Sequence, residues 1–556
     1  MTAIASAANG VPAARKTTER SYLLVLGALA LVLALQLTLV FTRAVNWDEF
    51  WHYNLTVQAS RGLLDQPLQT FFTRAFIWVP AMPGSSIEHI IGIRMAMFAC
   101  ELITLASIAG IATQFSDRLT GLLCALAYVC AGYVLQHGTS FRFDPQATAL
   151  LMGSLWVLAC RPANARWFMV AGVLGGLAAM ITIKSVLYAP AFAGILWLRW
   201  AEAENRRAFI GRAAIMLIAA ASSFAITYVW HTTDIVDSVG RSAKDTMSAS
   251  AGKMFSLSEH PYWQHNVKGA LLSPVTTLVV LAFPFAIWRI DRPRAERLAL
   301  IGFWLPLTTL AFYHNTAPYY HVFMLAPVAV ATCTVIPAIR DRYGAPFLIV
   351  GLLAGVALTF AKEERSTIEK QQQIIDAADH IFSEPVAYFD ACAMLGQFHK
   401  ANGFMTPWGT ERYLRGELPS FSQILAQRAV PLVVNDDPMF AAALNTFEPV
   451  ASFRPEDLTM LRETYVHFWG PFWIAGFFFD SPASTEFAVR VPGPYRVTGG
   501  QSVIIDGARH EQGDVVQLKR GKHTIVTHGD GVRLTWGRDI KLPLESPPQE
   551  PYFTSF

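Results

Sequence analysis

Two adjacent carboxylates, Asp48 and Glu49, follow an apolar run and lie among aromatic residues in the segment NWDEFWHY, residues 46–53. Aromatic surroundings raise the basicity of a carboxylate, which suits a group that removes the proton from an attacking hydroxyl. The same pair could instead cap a helix at the membrane surface, with Trp47 and Trp51 in the interfacial aromatic belt. The spacing alone favours neither interpretation.

Four charged residues, Arg94, Arg142, Asp144 and Lys184, fall within apolar segments near their predicted outer ends. A charge at this depth is costly, so each indicates a functional site unless it has a partner. We expect Arg142 and Lys184 to bind the phosphate of a lipid and to stabilise it as it leaves. An internal ion pair of Arg142 with Asp144 or Glu88 is the alternative.

Two further residues extend this site, and one pair lies beside it. Tyr320 and His321 follow an outer turn and could donate hydrogen bonds to the phosphate. Arg94 and Glu101 lie seven residues apart on one face of a predicted helix. We predict that these two residues form an internal ion pair with no part in the chemistry.

The elements that must position these residues are membrane helices. The chain of 556 residues is 53% hydrophobic and 15% charged, with a mean hydropathy of +0.34. Soluble domains usually have about 25% charged residues, so this composition indicates a bilayer protein. The net charge of +3 argues against a nucleic-acid partner. Five of the six cysteines lie in apolar stretches, which excludes a disulfide framework and a cysteine-based metal site.

Apolar runs predict about eleven transmembrane helices, since a bilayer core about 30 Å thick needs roughly 20 residues per helix. Arginine-rich loops should face the cytoplasm, which places the Asp48 loop and everything after Ala361 in the periplasm. The long loop from His231 to Leu272 could be a lid over the acceptor. The predicted spans are residues 22–42, 90–113, 119–137, 141–160, 167–187, 187–200, 213–230, 273–289, 298–313, 319–338 and 346–360.

The last 195 residues or so change character and predict a folded region outside the membrane. Ser366–Phe382 has the pattern of an amphipathic helix, while Pro385–Phe389 and Pro431–Val434 are typical of buried strands. Asp506-Gly507 indicates a hairpin within a run of short strands. The predicted domains are a membrane domain at 1–360, an α/β region at 361–470 and a β-sandwich at 471–556, which either binds carbohydrate or is a structural cap.

These segments resemble the GT-C superfamily of glycosyltransferases, in particular the branch of lipid A aminoarabinose transferases and protein O-mannosyltransferases. The resemblance begins with the acidic pair that opens the first outer loop and covers about residues 20–340. Four further segments carry it, namely SIEH at 86–89, RFDP at 142–145, GVLGGLAAMITIK at 172–184, and PYYH at 318–321 followed by Pro327.

The resemblance implies an all-α polytopic membrane fold of the GT-C type, followed here by the α/β and β-sandwich region. It implies that Asp48 is the catalytic base and that Glu49 assists it. It also places Glu88, His89 and Asp144 in the site. The sugar donor would be carried on a polyprenyl phosphate, and the reaction would invert the anomeric centre.

We therefore predict an inner-membrane glycosyltransferase that moves a monosaccharide from a polyprenyl-phosphate donor to a lipid, glycan or protein acceptor on the periplasmic face. Its partners would be this donor, the acceptor and membrane lipids, with no nucleic acid. The sequence requires no cofactor and assigns no metal ligands, although it leaves a divalent cation open. A polytopic transporter or flippase is the alternative, disfavoured because internal repeats are not evident and the ionisable residues lie near one surface.

Overall fold

A computed structural model describes residues 11–65, 69–236, 254, 260–446, 448–499, 502–528 and 530–554 of the chain. The part before residue 361 is almost entirely helical, and the part after it combines short helices with β-strands. Most of the predicted lid, residues 237–253 and 255–259, lies outside the described residues.

The helical part consists of helices of very different lengths, several of them joined by 3₁₀ segments. The helices are α1 Val11–Thr42, α2 Trp47–Ser60, α3 Ser86–Phe115, α4 Arg118–Val129, α5 Gly132–His137, α6 Phe143–Cys160, α7 Ala165–Ile181, α8 Ala189–Ala201, α9 Arg206–Thr233, α10 Trp263–Leu272, α11 Pro274–Ile287, α12 Arg294–Trp304, α13 Tyr320–Ala331, α14 Ile336–Tyr343 and α15 Ala345–Ala361. The 3₁₀ segments are Phe71–Phe76, Val79–Ala81, Ile183–Tyr188, Leu305–Ala311 and Thr332–Thr334.

Helices occupy each of the predicted spans, but several are short or interrupted. In the described residues, three helices are long and apolar enough to cross a membrane alone, at residues 19–42, 86–115 and 206–233. Two bent pairs, residues 263–287 and 320–343, raise that number to five if each pair is one span. The count of eleven transmembrane helices therefore stays a prediction.

The glycine-rich segment before Lys184 forms the contact between α7 and α9. A Cβ atom on Gly172 would lie 2.2 Å from the carbonyl oxygen of Met216, and one on Gly176 would lie 2.2 Å from that of Ala220. Only glycine permits this close approach of two helix backbones, as in other small-residue membrane interfaces. The glycines thus fix α7, and Lys184 lies in the 3₁₀ segment that follows this helix.

The C-terminal region begins with an amphipathic helix, as predicted, and continues with short helices and strands. Its helices are α16 Thr367–Ile381, α17 Pro407–Leu414, α18 Phe421–Gln427, α19 Pro438–Asn445 and α20 Pro455–Thr464. Its strands are β1 Ala387–Phe389, β2 His399–Lys400, β3 Leu432–Val434, β4 Tyr465–Trp469, β5 Phe472–Phe479, β6 Ser484–Val489, β7 Gly493–Thr498, β8 Ser502–Ile505, β9 Ala508–Glu511, β10 Val515–Leu518, β11 Gly521–Thr527 and β12 Val532–Trp536.

Two sheets organise these strands in the order β10-β7-β12-β5-β3-β1-β2, with β4 beside β5, and β6-β11-β8-β9. Side chains from both sheets share one hydrophobic core, which makes the last part a β-sandwich. The predicted hairpin is confirmed, since β8 pairs antiparallel with β9 around Asp506 and Gly507, both at positive φ. Strand β5 also pairs with β3, so one sheet runs across the predicted boundary between residues 470 and 471.

Candidate active site

Helix α2 carries Asp48 and Glu49 in its first turn because Asn46 caps the helix. The side-chain oxygen of Asn46 accepts a hydrogen bond from the backbone N–H of Asp48 at 3.0 Å. The backbone N–H of Asn46 donates to the carboxylate of Glu49 at 3.0 Å, which completes a capping box. Neighbouring residues on a helix point about 100° apart, so Asp48 stays partly exposed while Glu49 is buried.

Arg94 of α3 binds Glu49 through two hydrogen bonds, from Nε to Oε1 at 2.9 Å and from Nη2 to Oε2 at 2.6 Å. Its other N–H groups donate to three carbonyl oxygens at the end of α1, those of Val40, Arg43 and Ala44. Burial opposes ionisation of Glu49, but the charge and hydrogen bonds of Arg94 outweigh it and lower the pKa of Glu49 below its ordinary value. The ion pair thus joins α1, α2 and α3.

The predicted ion pair between Arg94 and Glu101 is wrong. Seven residues of α-helix separate the two by about 10 Å along the axis, too far for a direct contact unless both side chains bend towards each other. Arg94 turns to Glu49 instead, and Glu101 lies against Gln36 of α1. The amide of Gln36 donates to the carbonyl oxygen of Val134 at 3.2 Å.

Asp48, Arg142, Asp144 and Lys184 form a continuous chain of ion pairs. Arg142 Nη1 donates to Asp48 Oδ2, and Arg142 Nε lies 3.5 Å from Asp144 Oδ2. Lys184 Nζ donates to the other oxygen of Asp144. The Asp48 side chain is 17% exposed, whereas that of Asp144 is 1% exposed. Of the two carboxylates in this chain of ion pairs, Asp48 is therefore the one that a ligand can reach.

The three buried residues of this chain of ion pairs lie at or near helix ends. Arg142 is the residue before α6, and Asp144 lies in the first helical turn, where a carboxylate is stabilised by the helix dipole. Lys184 lies at the break between α7 and α8, where the side chain of Thr182 accepts a hydrogen bond from its backbone N–H at 3.3 Å. Helix α6 begins beside the end of α7, which brings these residues together.

Aromatic rings surround the two cations. The guanidinium carbon of Arg142 lies 3.4 Å from the ring centre of Tyr319. Lys184 Nζ lies 4.5 Å from the ring centre of Phe143 and 5.6 Å from that of Tyr320. Such rings attract cations, so they help to hold both side chains in position.

In the structure, Tyr320 and His321 contact protein side chains, and their predicted hydrogen bonds to a phosphate stay a prediction. The hydroxyl of Tyr320 lies 2.7 Å from that of Thr309. Thr309 already donates to the carbonyl oxygen of Pro306 at 2.6 Å, so Tyr320 is the donor and its proton is engaged. The ring of His321 packs against that of Tyr133, with centres 5.1 Å apart. These contacts do not support hydrogen bonds from Tyr320 to a phosphate, and Tyr319 is the tyrosine that contacts Arg142.

Glu88 and His89 have local partners at the start of α3. Glu88 is exposed and accepts a hydrogen bond from the backbone N–H of Ser85 at 2.7 Å, as part of a capping box. The two ring nitrogens of His89 contact the hydroxyl of Tyr53 at 2.6 Å and the carbonyl oxygen of Met82 at 3.0 Å. Glu88 thus caps α3 and His89 joins α3 to α2, and in the part of the chain that the structure describes neither joins the chain of ion pairs.

His52 is a member of the site that the sequence did not single out. Its Nδ1 lies 3.0 Å from the carbonyl oxygen of Phe141, and its ring meets those of Phe72 and Phe143 edge to face. Burial, and then the charge of Arg142, lower the pKa of His52 to about 4. A neutral imidazole is therefore expected beside the ion pairs. The position of His52 one turn after Asp48 was the available signal.

An apolar cavity of about 500 Å³ opens beside the site, between α3, α6, α7 and α9. Phe72 and Gln146 form its end nearest the ion pairs, since Phe72 contacts His52 and Gln146 follows Asp144 by two residues. Its other lining residues are Phe71, Arg74, Ala75, Cys100, Ile103, Ala149, Leu150, Gly153, Leu174, Ile181 and Trp230.

A second buried polar cluster lies in the C-terminal region, where Asp390, Cys392 and Asp436 place potential metal-ligand atoms within 4.8 Å of one another. Lys400 Nζ donates to Asp390, and the Cys392 thiol donates to Asp436 at 3.1 Å. Burial, and then the charge of Asp390, raise the pKa of Asp436 well above its ordinary value. The lysine charge at Asp390 and the bonded thiol indicate a hydrogen-bonded core, which fits a metal ion poorly.

Known structures share the fold of this chain. Two crystal structures of ArnT from Cupriavidus metallidurans, one bound to undecaprenyl phosphate and one in the apo state, each have a TM-score of 0.52 to this chain, with 12% and 11% sequence identity. Each comparison covers 75% of this chain and 94% of ArnT. An apo oligosaccharyltransferase from Archaeoglobus fulgidus is similar over 82% of this chain and 73% of its own, with 12% identity and a TM-score of 0.49.

No protein-family model and no curated protein sequence matches the chain. The likeness to ArnT shows that this chain shares the fold of ArnT.

Proposed function

We propose that the protein is a membrane glycosyltransferase that transfers a monosaccharide from a polyprenyl-phosphate carrier to a hydroxyl acceptor on the periplasmic face of the inner membrane. The observation that carries this proposal is the partly exposed Asp48 at the end of a chain of ion pairs with Arg142, Asp144 and Lys184. A base and two cations thus lie together. The GT-C fold supports the same reaction class, and ArnT in that fold holds undecaprenyl phosphate.

In the proposed reaction, Asp48 accepts the proton of the acceptor hydroxyl. The acceptor oxygen forms a bond to the anomeric carbon of the sugar while the bond from that carbon to the phosphate oxygen breaks. The electron pair of the broken bond stays on the polyprenyl phosphate. Arg142 and Lys184 stabilise the negative charge that builds on this oxygen, which is where fixed cations lower a barrier most.

The ion pair between Asp48 and Arg142 gives the two substrates an order of binding. A donor phosphate that binds Arg142 competes with Asp48 for the same guanidinium. Donor binding would therefore release the Asp48 carboxylate to face the acceptor. Tyr319 holds the guanidinium plane from the other side during this exchange.

Glu49 takes a positioning role in this proposal. Its two oxygens accept hydrogen bonds from Arg94, Asn46 and the backbone N–H of Phe141, the last at 2.7 Å. These bonds hold the first turn of α2 against α3 and against the segment before α6. Glu49 therefore assists Asp48 by fixing its position rather than by touching the sugar.

The apolar cavity suits the hydrocarbon chain of a lipid substrate. Its lining is almost wholly apolar, and its inner end lies beside Phe72 and Gln146, near the ion pairs. A lipid whose phosphate lies at Arg142 could place its first isoprene units there.

Detergent-purified protein tests this proposal directly. Incubated with a polyprenyl-phosphate sugar and a mixture of envelope acceptors, it should release polyprenyl phosphate, whereas a nucleotide sugar should be inert. Repeating the assay with EDTA tests the need for a divalent cation. Transfer from the nucleotide sugar, or activity that appears only as lipid movement in sealed vesicles, would contradict the proposal and favour a flippase.

A further inference from the structure

Gln371 of α16 is fully buried and binds the main chain just before the candidate active site. Its side-chain oxygen accepts a hydrogen bond from the backbone N–H of Val45 at 2.8 Å. Its side-chain nitrogen donates to the carbonyl oxygen of Val45 at 2.8 Å and to that of Tyr552 at 2.9 Å. One glutamine from the C-terminal region thus pairs with both polar groups of a residue in the helical part.

Val45 immediately precedes the cap residue Asn46 and lies three residues before Asp48. The backbone at this point sets the direction of α2 relative to α1, and Gln371 holds it at Val45 just as Arg94 holds it at Arg43 and Ala44. A base must lie within hydrogen-bond reach of its substrate, and a displacement of about 1 Å can cost roughly 10²-fold in rate.

Three aromatic contacts support α2 from the same region. The ring of Trp51 stacks on that of Phe404, with centres 4.9 Å apart and planes at 3°. Gly396 packs against Tyr53 so closely that a Cβ atom would lie 2.5 Å from its ring. Phe50 meets Phe553 edge to face at 6.1 Å. Successive residues of α2 therefore contact different parts of the C-terminal region.

We infer that the C-terminal region positions α2 for catalysis, and that Gln371 is the positioning residue that fixes its start. The C-terminal region therefore contributes to the active site by holding α2 in place. The inference rests on the proposed function of Asp48, because α2 matters for the reaction only as the carrier of that carboxylate.

The substitution Gln371→Met tests the inference, with Gln373→Met as a matched control at an exposed position of the same helix. Methionine keeps the size of the side chain but makes none of its three hydrogen bonds. We expect kcat to fall about 10-fold to 100-fold with KM nearly unchanged, because Asp48 is displaced while the donor site is intact. Amide hydrogen exchange in residues 45–53 should be faster in Gln371→Met than in the control, whether or not transfer is measured.

A second substitution separates positioning from general stability. In Gln371→Glu the side chain can still accept from Val45 N–H, but it can donate only when protonated. Its activity relative to wild type should therefore rise as the pH falls, at temperatures where the variant stays fully folded over the whole pH range. If Gln371→Met does not purify, Phe404→Ala removes the stack on Trp51 at a partly exposed site and should reduce kcat in the same way.

The possible outcomes distinguish a failure of the proposed function from a failure of the positioning inference. An inactive wild-type protein with faster exchange in Gln371→Met would contradict the proposed function and leave the packing relationship in place. An active wild-type protein whose Gln371→Met variant keeps its kcat and its exchange rates would overturn the positioning inference. Equal losses of kcat in Gln371→Met and Gln373→Met would overturn it too.

Discussion

Arg142 binds Asp48 across 94 positions of the sequence and joins the first turn of α2 to the start of α6. The residue proposed to act on the acceptor and a residue proposed to act on the donor are thus in direct contact. Each neutralises the charge of the other, which lowers the cost of holding both in a half-buried site. Arg142 can leave Asp48 only for another anion, and the donor phosphate is the anion proposed here.

Asp48→Asn should lower turnover by about 10² or more while thermal stability stays near wild type. Asparagine keeps the shape of the side chain and an oxygen that accepts from Arg142, but it cannot take a proton from the acceptor. The measurement is release of polyprenyl phosphate by the purified variant, with melting temperature as its companion. A fully active variant would show that another group is the base.

Glu49→Gln should act on the fold, in contrast to the change at Asp48. It leaves Arg94 buried without its counter-charge, a change that typically costs about 3–5 kcal/mol. Yield and melting temperature should fall, and the double variant Glu49→Gln/Arg94→Met should recover part of the loss. A well-folded, inactive Glu49→Gln would instead show that Glu49 touches substrate.

The pH dependence of stability should report the same ion pair. The pKa of Glu49 is lowered in the fold, so its contribution is fully present above the ordinary value of 4.5 and is lost as the pH falls through the lowered pKa. The wild-type melting temperature should therefore fall more steeply below about pH 4.5 than that of Glu49→Gln. Parallel curves for the two proteins would contradict this assignment.

The sequence predicted part of the site because charges are rare in apolar helices. Arg142 and Lys184 stood out in this way, and the structure brings them to Asp48 and Asp144. The sequence could not predict that Tyr319, rather than Tyr320, contacts Arg142. Helix α13 begins at Tyr320, and a shift of one residue near a helix start turns a side chain by about 100°.

Partners that are distant in the chain were beyond the reach of the sequence. Arg94 was assigned to Glu101 because a single helix suggests only its own neighbours, whereas the packing of three helices brings it to Glu49. The same limit applies to Gln371, whose polar side chain on an amphipathic helix gave no sign of its contact with Val45. Helices lie within the predicted spans, but 3₁₀ segments interrupt them at Lys184 and after Trp304, so the number that cross the membrane stays a prediction.

Tags at the two ends test the orientation proposed from the arginine-rich loops. An impermeant label added to the periplasmic side should reach a tag at the C-terminus and not one at the N-terminus. An odd number of spans requires this result, whether or not the number is eleven. Labelling of both tags, or of neither, would mean an even number and would put Asp48 and the C-terminal region on opposite sides of the membrane.

Lys184→Met should weaken catalysis, but alone it is hard to interpret because Asp144 would keep only the 3.5 Å contact with Arg142. The double variant Asp144→Asn/Lys184→Met removes both charges and should recover the stability that the single variant loses. Its kcat should stay low, since the missing cation is needed only when charge builds on the departing phosphate oxygen.

The two kinetic constants then decide what Lys184 does. A contact that strengthens in the transition state lowers kcat and leaves KM nearly unchanged, whereas a contact equally strong in the bound donor raises KM. We expect the first pattern in the double variant, because the bridging oxygen gains its charge only as the glycosidic bond breaks. Recovery of wild-type kcat together with stability would show that Lys184 serves only to neutralise Asp144, and the phosphate site would then reduce to Arg142.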